Sequence, residues 1–164
     1  MVQLRLVGDR KKIHIAIMRK SWGLTKKILT GEKTVESRWY LNRYRPWGQI
    51  EEGDIVYFKD SGGPVTVKAE IARVEQYANL DENKRKEILA RYSHQDLGTT
   101  EIIPEILEYT KDKRYCIIVH LKDPQKVEPF EIDKKGFGAM ASWLTVDDIE
   151  RIKKKSKKTN SSKI

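Results

Sequence analysis

After a polar, basic start the chain runs Ile13-His14-Ile15-Ala16-Ile17-Met18, a β-branched apolar stretch that predicts a buried strand. Ser21 is placed to cap a short helix from about Trp22 to Thr30, because Leu24, Ile28 and Leu29 share a face and Gly31 supplies a left-handed exit. Lys33 to Tyr40 is strand-like again. Pro46, Gly48 and Gly53 then mark a loop before a third strand over Asp54 to Lys59. Ser61-Gly62-Gly63-Pro64 has turn chemistry, and beyond it Val65, Val67, Ala69 and Ile71 alternate with Thr66, Lys68 and Glu70. That pair reads as a hairpin with its apolar set turned inward.

Asp81 predicts the cap of a helix reaching Tyr92, which buries Ile88 and Leu89. A second helical piece is expected over Glu101 to Tyr109, with Pro104 in its first turn. Tyr115 to Leu121 reads as a strand and Phe130 to Ile132 as a shorter one, and Val146-Asp147-Asp148 opens a short closing helix carrying Ile149 and Ile152. Five or six strands, an early short helix and a helical insertion before the late strand predict an α+β fold: a mixed β-barrel, closed or nearly so. No internal repeat is visible.

At 164 residues the chain suits one domain, here residues 1–150, followed by a basic tail, residues 151–164, that lacks apolar periodicity and is expected to be disordered. No apolar run is long enough for a signal peptide or a membrane span. The single cysteine, Cys116, lies inside an apolar strand and reads as core filler, so a reducing cytoplasm is the expected setting. The net charge of +9 is unevenly spread: residues 1–50 hold 12 Lys and Arg against 3 Asp and Glu, and residues 151–164 hold 7 against none. The middle is acidic. Such a two-faced molecule favours a polyanionic partner.

Leu29-Thr30-Gly31-Glu32-Lys33-Thr34-Val35-Glu36-Ser37-Arg38-Trp39-Tyr40 sits between the first helix and the Gly53-Asp54 strand start. Gly31, Lys33, Glu36 and Arg38 fill the pattern Gly-x-Lys-x-x-Glu-x-Arg, and the segment resembles the ASCH family of the PUA-like superfamily. Trp22 in the preceding helix, Trp39 after the arginine and Gly53-Asp54-Ile55-Val56 resemble the family's flanks, and Ser142-Trp143-Leu144 resembles the closing segment of archaeal relatives. The resemblance covers about residues 13 to 150 and implies a PUA-like barrel whose cleft binds RNA, with some members acting as enzymes.

The residues support the same kind of ligand on their own chemistry. Glu36 and Arg38 share one face of a strand, and the Gly31 exit can turn Lys33 toward the same opening. An arginine fork grips phosphate in a bidentate manner, lysine adds a mobile cation, and glutamate orients the arginine or accepts from a base edge. Trp39, Arg43, Arg45 and Trp47 interleave rings with cations, a composition that stacks bases and holds backbone. RNA or a modified nucleoside is therefore expected between this strand and the loop from Asn42 to Gly48. The alternative within the same residues is that Glu36 pairs with Arg38 or Lys33 merely to tie the barrel mouth, while the aromatics fill core.

Certain small bacterial relatives are amidohydrolases of acylated cytidine, so the resemblance also implies a hydrolase, amidohydrolase-like or ribonuclease-like. In that chemistry the lysine corresponding to Lys33 works with a threonine three residues on and an acidic residue of the helical insertion, near Gln95 or Asp96 here. The threonine position is Glu36, so Lys33 and Glu36 are the catalytic candidates. A protein-interaction module using the acidic helical region from Asp81 to Glu108 is a further alternative. No metal is expected, since His14, His94 and His120 are far apart with no ligand spacing, and no cofactor is expected either, since the Gly62-Gly63 and Gly136-Phe137-Gly138 stretches lack the context of a phosphate loop. The tail lysines, Lys153 to Lys158, would add salt-sensitive phosphate attraction.

Overall fold

A computed structural model describes residues 11–98 and 103–154. Its six strands are β1 (Ile13–Met18), β2 (Val35–Tyr40), β3 (Ile55–Asp60), β4 (Val65–Tyr77), β5 (Tyr115–Phe130) and β6 (Trp143–Val146). They form one curled sheet in the order β2-β5-β4-β3-β1-β6, with β1 and β3 parallel and the other neighbours antiparallel. Three α-helices complete the fold: α1 (Leu24–Thr30), α2 (Glu82–Leu97) and α3 (Pro104–Thr110). This is the α+β, six-stranded mixed fold expected from the order of elements, with the sheet curled into a half-barrel and not closed, since β2 and β6 do not pair.

Val65, Val67, Ala69 and Ile71 are all buried, as their period of two requires, and Ile117, Ile118 and Val119 join them in the core. Ile15, Val65, Leu144 and Ile152 form a second, smaller cluster beneath β6. Asp148 caps the closing turn by accepting from the Glu150 amide, and the turn itself is 3-10 rather than α. Lys153 bridges Ile132, and Lys154 donates its amide to Glu131. The rest of the expected tail lies outside the described residues, as does the start of the helix expected from Glu101.

Three elements differ from the sequence reading. Ser21 does not cap a helix: a 3-10 turn runs Lys20–Trp22, Gly23 turns left-handed at φ 61°, and only then does α1 begin. Gly23 accepts that geometry without a Cβ clash, so one predicted helix becomes two pieces. The strands expected at Tyr115 and Phe130 are one strand, β5, paired to β4 along an extended ribbon with register shifts. Its distal half, from Lys122 to Glu128, is mostly exposed and polar, and ladder hydrogen bonds hold it without an apolar face. Helix α2 continues past Tyr92 to Leu97.

Glu75 on β4 helps to hold α2 down. Its carboxylate accepts from Tyr92 Oη of α2 at 2.5 Å, from Tyr77 Oη at 2.8 Å and from His120 Nε2 at 2.7 Å. Partial burial alone would raise its pKa, but the three donors and Arg73 outweigh it and bring it down to about 2.

Candidate functional site

Helix α1 ends at Gly31, φ 83°, and the chain turns through Lys33 into β2. The C-terminus of α2 docks on this corner. The last turn of any helix leaves carbonyls without partners inside the helix. Here Gln95 O accepts from the Thr34 amide at 2.8 Å, Asp96 O from Lys33 Nζ at 2.6 Å and Leu97 O from Lys27 Nζ at 3.0 Å. Two of the three donors are cations placed at the negative end of the helix. Gly98 ends α2 at φ 67°, where a Cβ would stand 3.1 Å from the Lys27 side chain.

Lys33 is sealed from solvent. Besides Asp96 O, its ammonium donates to Val35 O at 2.6 Å and to Asp96 Oδ1 at 2.5 Å, and it forms an ion pair with Glu36 Oε1 at 3.0 Å. Glu36 Oε2 in turn accepts from Arg38 Nη2 at 2.8 Å and Nε at 3.1 Å. Asp96 Oδ2 takes the Ser37 hydroxyl at 2.6 Å, and that hydroxyl receives Trp39 Nε1 at 3.0 Å. The network therefore holds Lys33 and Arg38 against Glu36 and Asp96, two charges of each sign. The positive surplus expected from Lys33, Glu36 and Arg38 alone is cancelled by Asp96, the acidic residue of the helical insertion.

Burial of this depth disfavours every charged form, and the pairing decides the outcome. For Lys33 desolvation is outweighed by Asp96 and Glu36, so its pKa stands above the ordinary lysine value. Glu36 is likewise held below its ordinary value, Lys33 and then Arg38 overcoming desolvation. Asp96 moves upward, chiefly through burial, with Glu36 adding to it against Lys33.

Arg38 has a second task. Backbone pairing leaves β2 and β6 as the two sheet edges, and Arg38 reaches across that seam to Ile17 O of β1 and Ser142 O before β6, both at 3.2 Å. Its guanidinium also lies 5.2 Å from the Trp143 ring. On one side of it opens a cleft of about 110 Å³ floored by Glu36, Ser37 and Arg38 and walled by Met18, Trp22 and Tyr109. A water occupies about 30 Å³, so the cleft has room for a few waters or one small planar group. Tyr40 flanks Arg38 with its hydroxyl buried and unpartnered, and its pKa is pushed up to about 12, first by burial.

The predicted residues thus divide. Lys33, Glu36 and Arg38 come together, with Glu36 and Arg38 on the cleft and Lys33 sealed away from it, while Gly31 serves as the exit of α1. Trp39 faces the core and is 5 % exposed, so it has no free face for stacking. Trp47 packs edge-on against Tyr115, with Arg43 5.9 Å from its ring centroid. Arg45 lines a separate, wider groove of about 670 Å³ with Tyr40, Tyr44 and Trp143. The loop from Asn42 to Gly48 therefore meets the motif strand only at its end, where Tyr40 shares this groove with Tyr44 and Arg45, and it does not reach the cleft of Glu36 and Arg38. Of the two positions offered for the acidic residue, Gln95 and Asp96, it is Asp96 that meets Lys33, whereas Tyr109 and Arg19 carried no signal in the sequence.

In the helical region from Asp81 to Glu108, Lys86 pairs with Glu82 at 3.0 Å and Lys84 with Glu87 at 3.3 Å, and Glu108 pairs with Lys111 at 2.6 Å. Among the described residues no group of three or more His, Cys, Asp and Glu could hold a metal ion. None of the described helices is long and apolar enough to cross a membrane.

No protein-family model and no curated protein matches the chain. Solved structures do. The ASCH protein of Zymomonas mobilis superposes with a TM-score of 0.61 at 16% identity, covering 85% of this chain and 90% of that one. A Tyr→Phe variant of the same protein gives 0.61 at 15% identity over 85% and 94% of the two chains, and a Ser→Ala variant 0.62 at 16% over 87% and 94%. The resemblance read from Gly31, Lys33, Glu36 and Arg38 and the likeness of the whole sheet meet in one conclusion: the chain has the α+β fold of an ASCH domain.

Proposed function

We propose that this domain binds RNA, or a nucleotide-like unit of it, by taking one planar base into the cleft beside β2. The observation that carries this reading is the composition of that cleft: Trp22 and Tyr109 on its walls, a carboxylate and a guanidinium from Glu36 and Arg38 on its floor. Aromatic walls suit the face of a base, and a fixed donor–acceptor pair suits its edge. The setting is the reducing cytoplasm, with Cys116 buried in β5 and its thiol pushed up, chiefly by burial.

Binding is favoured over hydrolysis by the state of Lys33. A lysine that acts as base needs a depressed pKa, whereas Lys33 is shifted upward and its ammonium is spent on Val35, Glu36 and Asp96. Glu36, shifted downward and shared between two cations, is a poor proton acceptor.

The test is a titration with single-stranded RNA, structured RNA and acylated nucleosides, with product analysis, for wild type, Trp22→Ala and Tyr109→Ala. Stacking on such a ring contributes about 1–3 kcal/mol per base, so each variant is expected to weaken binding of single-stranded RNA roughly ten- to hundredfold. Affinity unchanged in both variants would mean that the cleft is not the site, and turnover of an acylated nucleoside would make the domain a hydrolase.

A further inference from the structure

The cleft has two arginines, and they differ in what they are committed to. Arg38 spends most of its donors on Glu36, Ile17 O and Ser142 O. Arg19, at the rim, has no carboxylate within ion-pair distance among the described residues, and its guanidinium makes no hydrogen bond there. It is not loose either. Its guanidinium carbon stands 4.8 Å from the centroid of Trp22 and 5.5 Å from that of Tyr109, the two rings that wall the cleft. The 3-10 turn Lys20–Trp22, closed by Trp22 N to Arg19 O at 3.2 Å, fixes Arg19 and Trp22 in this relation.

Stacking on an aromatic face uses the flat side of a guanidinium and leaves its edge, with five N–H donors, pointing outward. The inner network is balanced, two cations against two carboxylates, so it contributes little net field at the mouth. Arg19 is then a preorganised fork with an unopposed charge beside a base-sized cleft. Planar, bidentate recognition of a phosphate is the chemistry that such a fork fits.

We propose that Arg19 is a phosphate-recognition residue, so that the ligand of the cleft is a phosphate-bearing nucleotide unit and not a free nucleoside. The proposal rests on the base-binding reading above and narrows its ligand class. The phosphate can be the diester of an RNA strand or the monoester of a mononucleotide, and the two sources are separable by experiment.

Binding is measured by quenching of tryptophan fluorescence and by calorimetry for adenosine, cytidine and uridine, for their 5′- and 3′-monophosphates, and for the corresponding dinucleoside monophosphates. Wild type is expected to prefer the phosphorylated ligands over the nucleosides by about tenfold or more, the worth of one charge-assisted contact. In Arg19→Gln, which keeps a flat polar group at the rings, that preference, taken as the ratio of phosphorylated-ligand to nucleoside affinity in the same protein, falls to about one. The salt dependence of phosphorylated-ligand binding also drops by about one ion. Arg19 is exposed, so the variant is expected to fold as wild type does.

A phosphate preference that survives in Arg19→Gln overturns the assignment, as does a wild type that binds nucleoside and nucleotide equally. A wild type that binds neither overturns the base-binding reading along with it. If the dinucleotides alone gain from Arg19, the phosphate is that of an RNA backbone; if the monophosphates alone gain, the ligand is a free nucleotide.

Discussion

Two polar networks dock α2 on the barrel, four residues apart along the helix, and they are built on opposite principles. At Asp96 the partners are charges: Lys33, Glu36, Arg38 and Asp96 form a chain of ion pairs with side-chain exposures of 0 to 12 %. At Tyr92 a single carboxylate, Glu75, collects two phenols and an imidazole, with Glu75 and His120 side chains 19 % and 18 % exposed. Removing one member of the first strands a charge in a site that water does not reach. Removing one member of the second leaves groups that solvent can still satisfy. The cleft therefore borders the part of the molecule least tolerant of change, while the region away from it is held by softer, replaceable bonds.

Loss of Lys33 gives the largest effect. Lys33→Ala leaves Asp96 and Glu36 facing each other without the ammonium and frees a carbonyl at the end of α2. The expected loss is about 3–5 kcal/mol, the range for breaking a buried pair from one side. Lys33→Met, which restores volume but not charge, is expected to lose nearly as much. Urea denaturation with unchanged m-value measures both, and a loss below about 1 kcal/mol in Lys33→Met would erase the contrast between the networks.

Glu75→Gln is expected to cost less, about 1–3 kcal/mol at neutral pH, and it carries a pH signature. In the folded chain Glu75 titrates at about 2 against an ordinary 4.5, so the fold favours its ionised form. That stabilisation is complete above pH 4.5 and disappears as pH falls through about 2, because protonation releases the carboxylate from its donors. Wild type should therefore lose stability more steeply than Glu75→Gln below pH 4.5, and parallel curves would show that Glu75 is not held as described. Tyr92→Phe removes one donor from a carboxylate that keeps two more, and about 1 kcal/mol is expected in the same denaturation assay.

How much of this was legible in the sequence follows the same division. Apolar alternation in β4 and the Gly31 exit could be read directly, because period and glycine conformation are local properties. The three charged motif positions, Lys33, Glu36 and Arg38, do meet in space. The balance of their charge could not be read, since it depends on Asp96, whose approach requires α2 to run on past Tyr92 with a particular helical phase. The length of β5 was hidden for a different reason: Lys122-Asp123-Pro124-Gln125 carries no inward-facing apolar residue, and its strand character comes from pairing to β4. Trp39 was read as a stacking residue on composition. It is fixed inward by the pleat of β2 and by its bond to Ser37, and composition carries no information about facing.

The guanidinium that bridges the seam gives the barrel an unequal circumference. Elsewhere neighbouring strands are zipped by repeated amide–carbonyl pairs, so sliding or parting them breaks several bonds in concert. Between β2 and the β1–β6 edge the fastening described here is one side chain on two carbonyls. Mechanical strain on the sheet, from heat or from a guest wedged beside Arg38, will be relieved first along that line, and the doorway to the cleft is also the weakest stave of the wall.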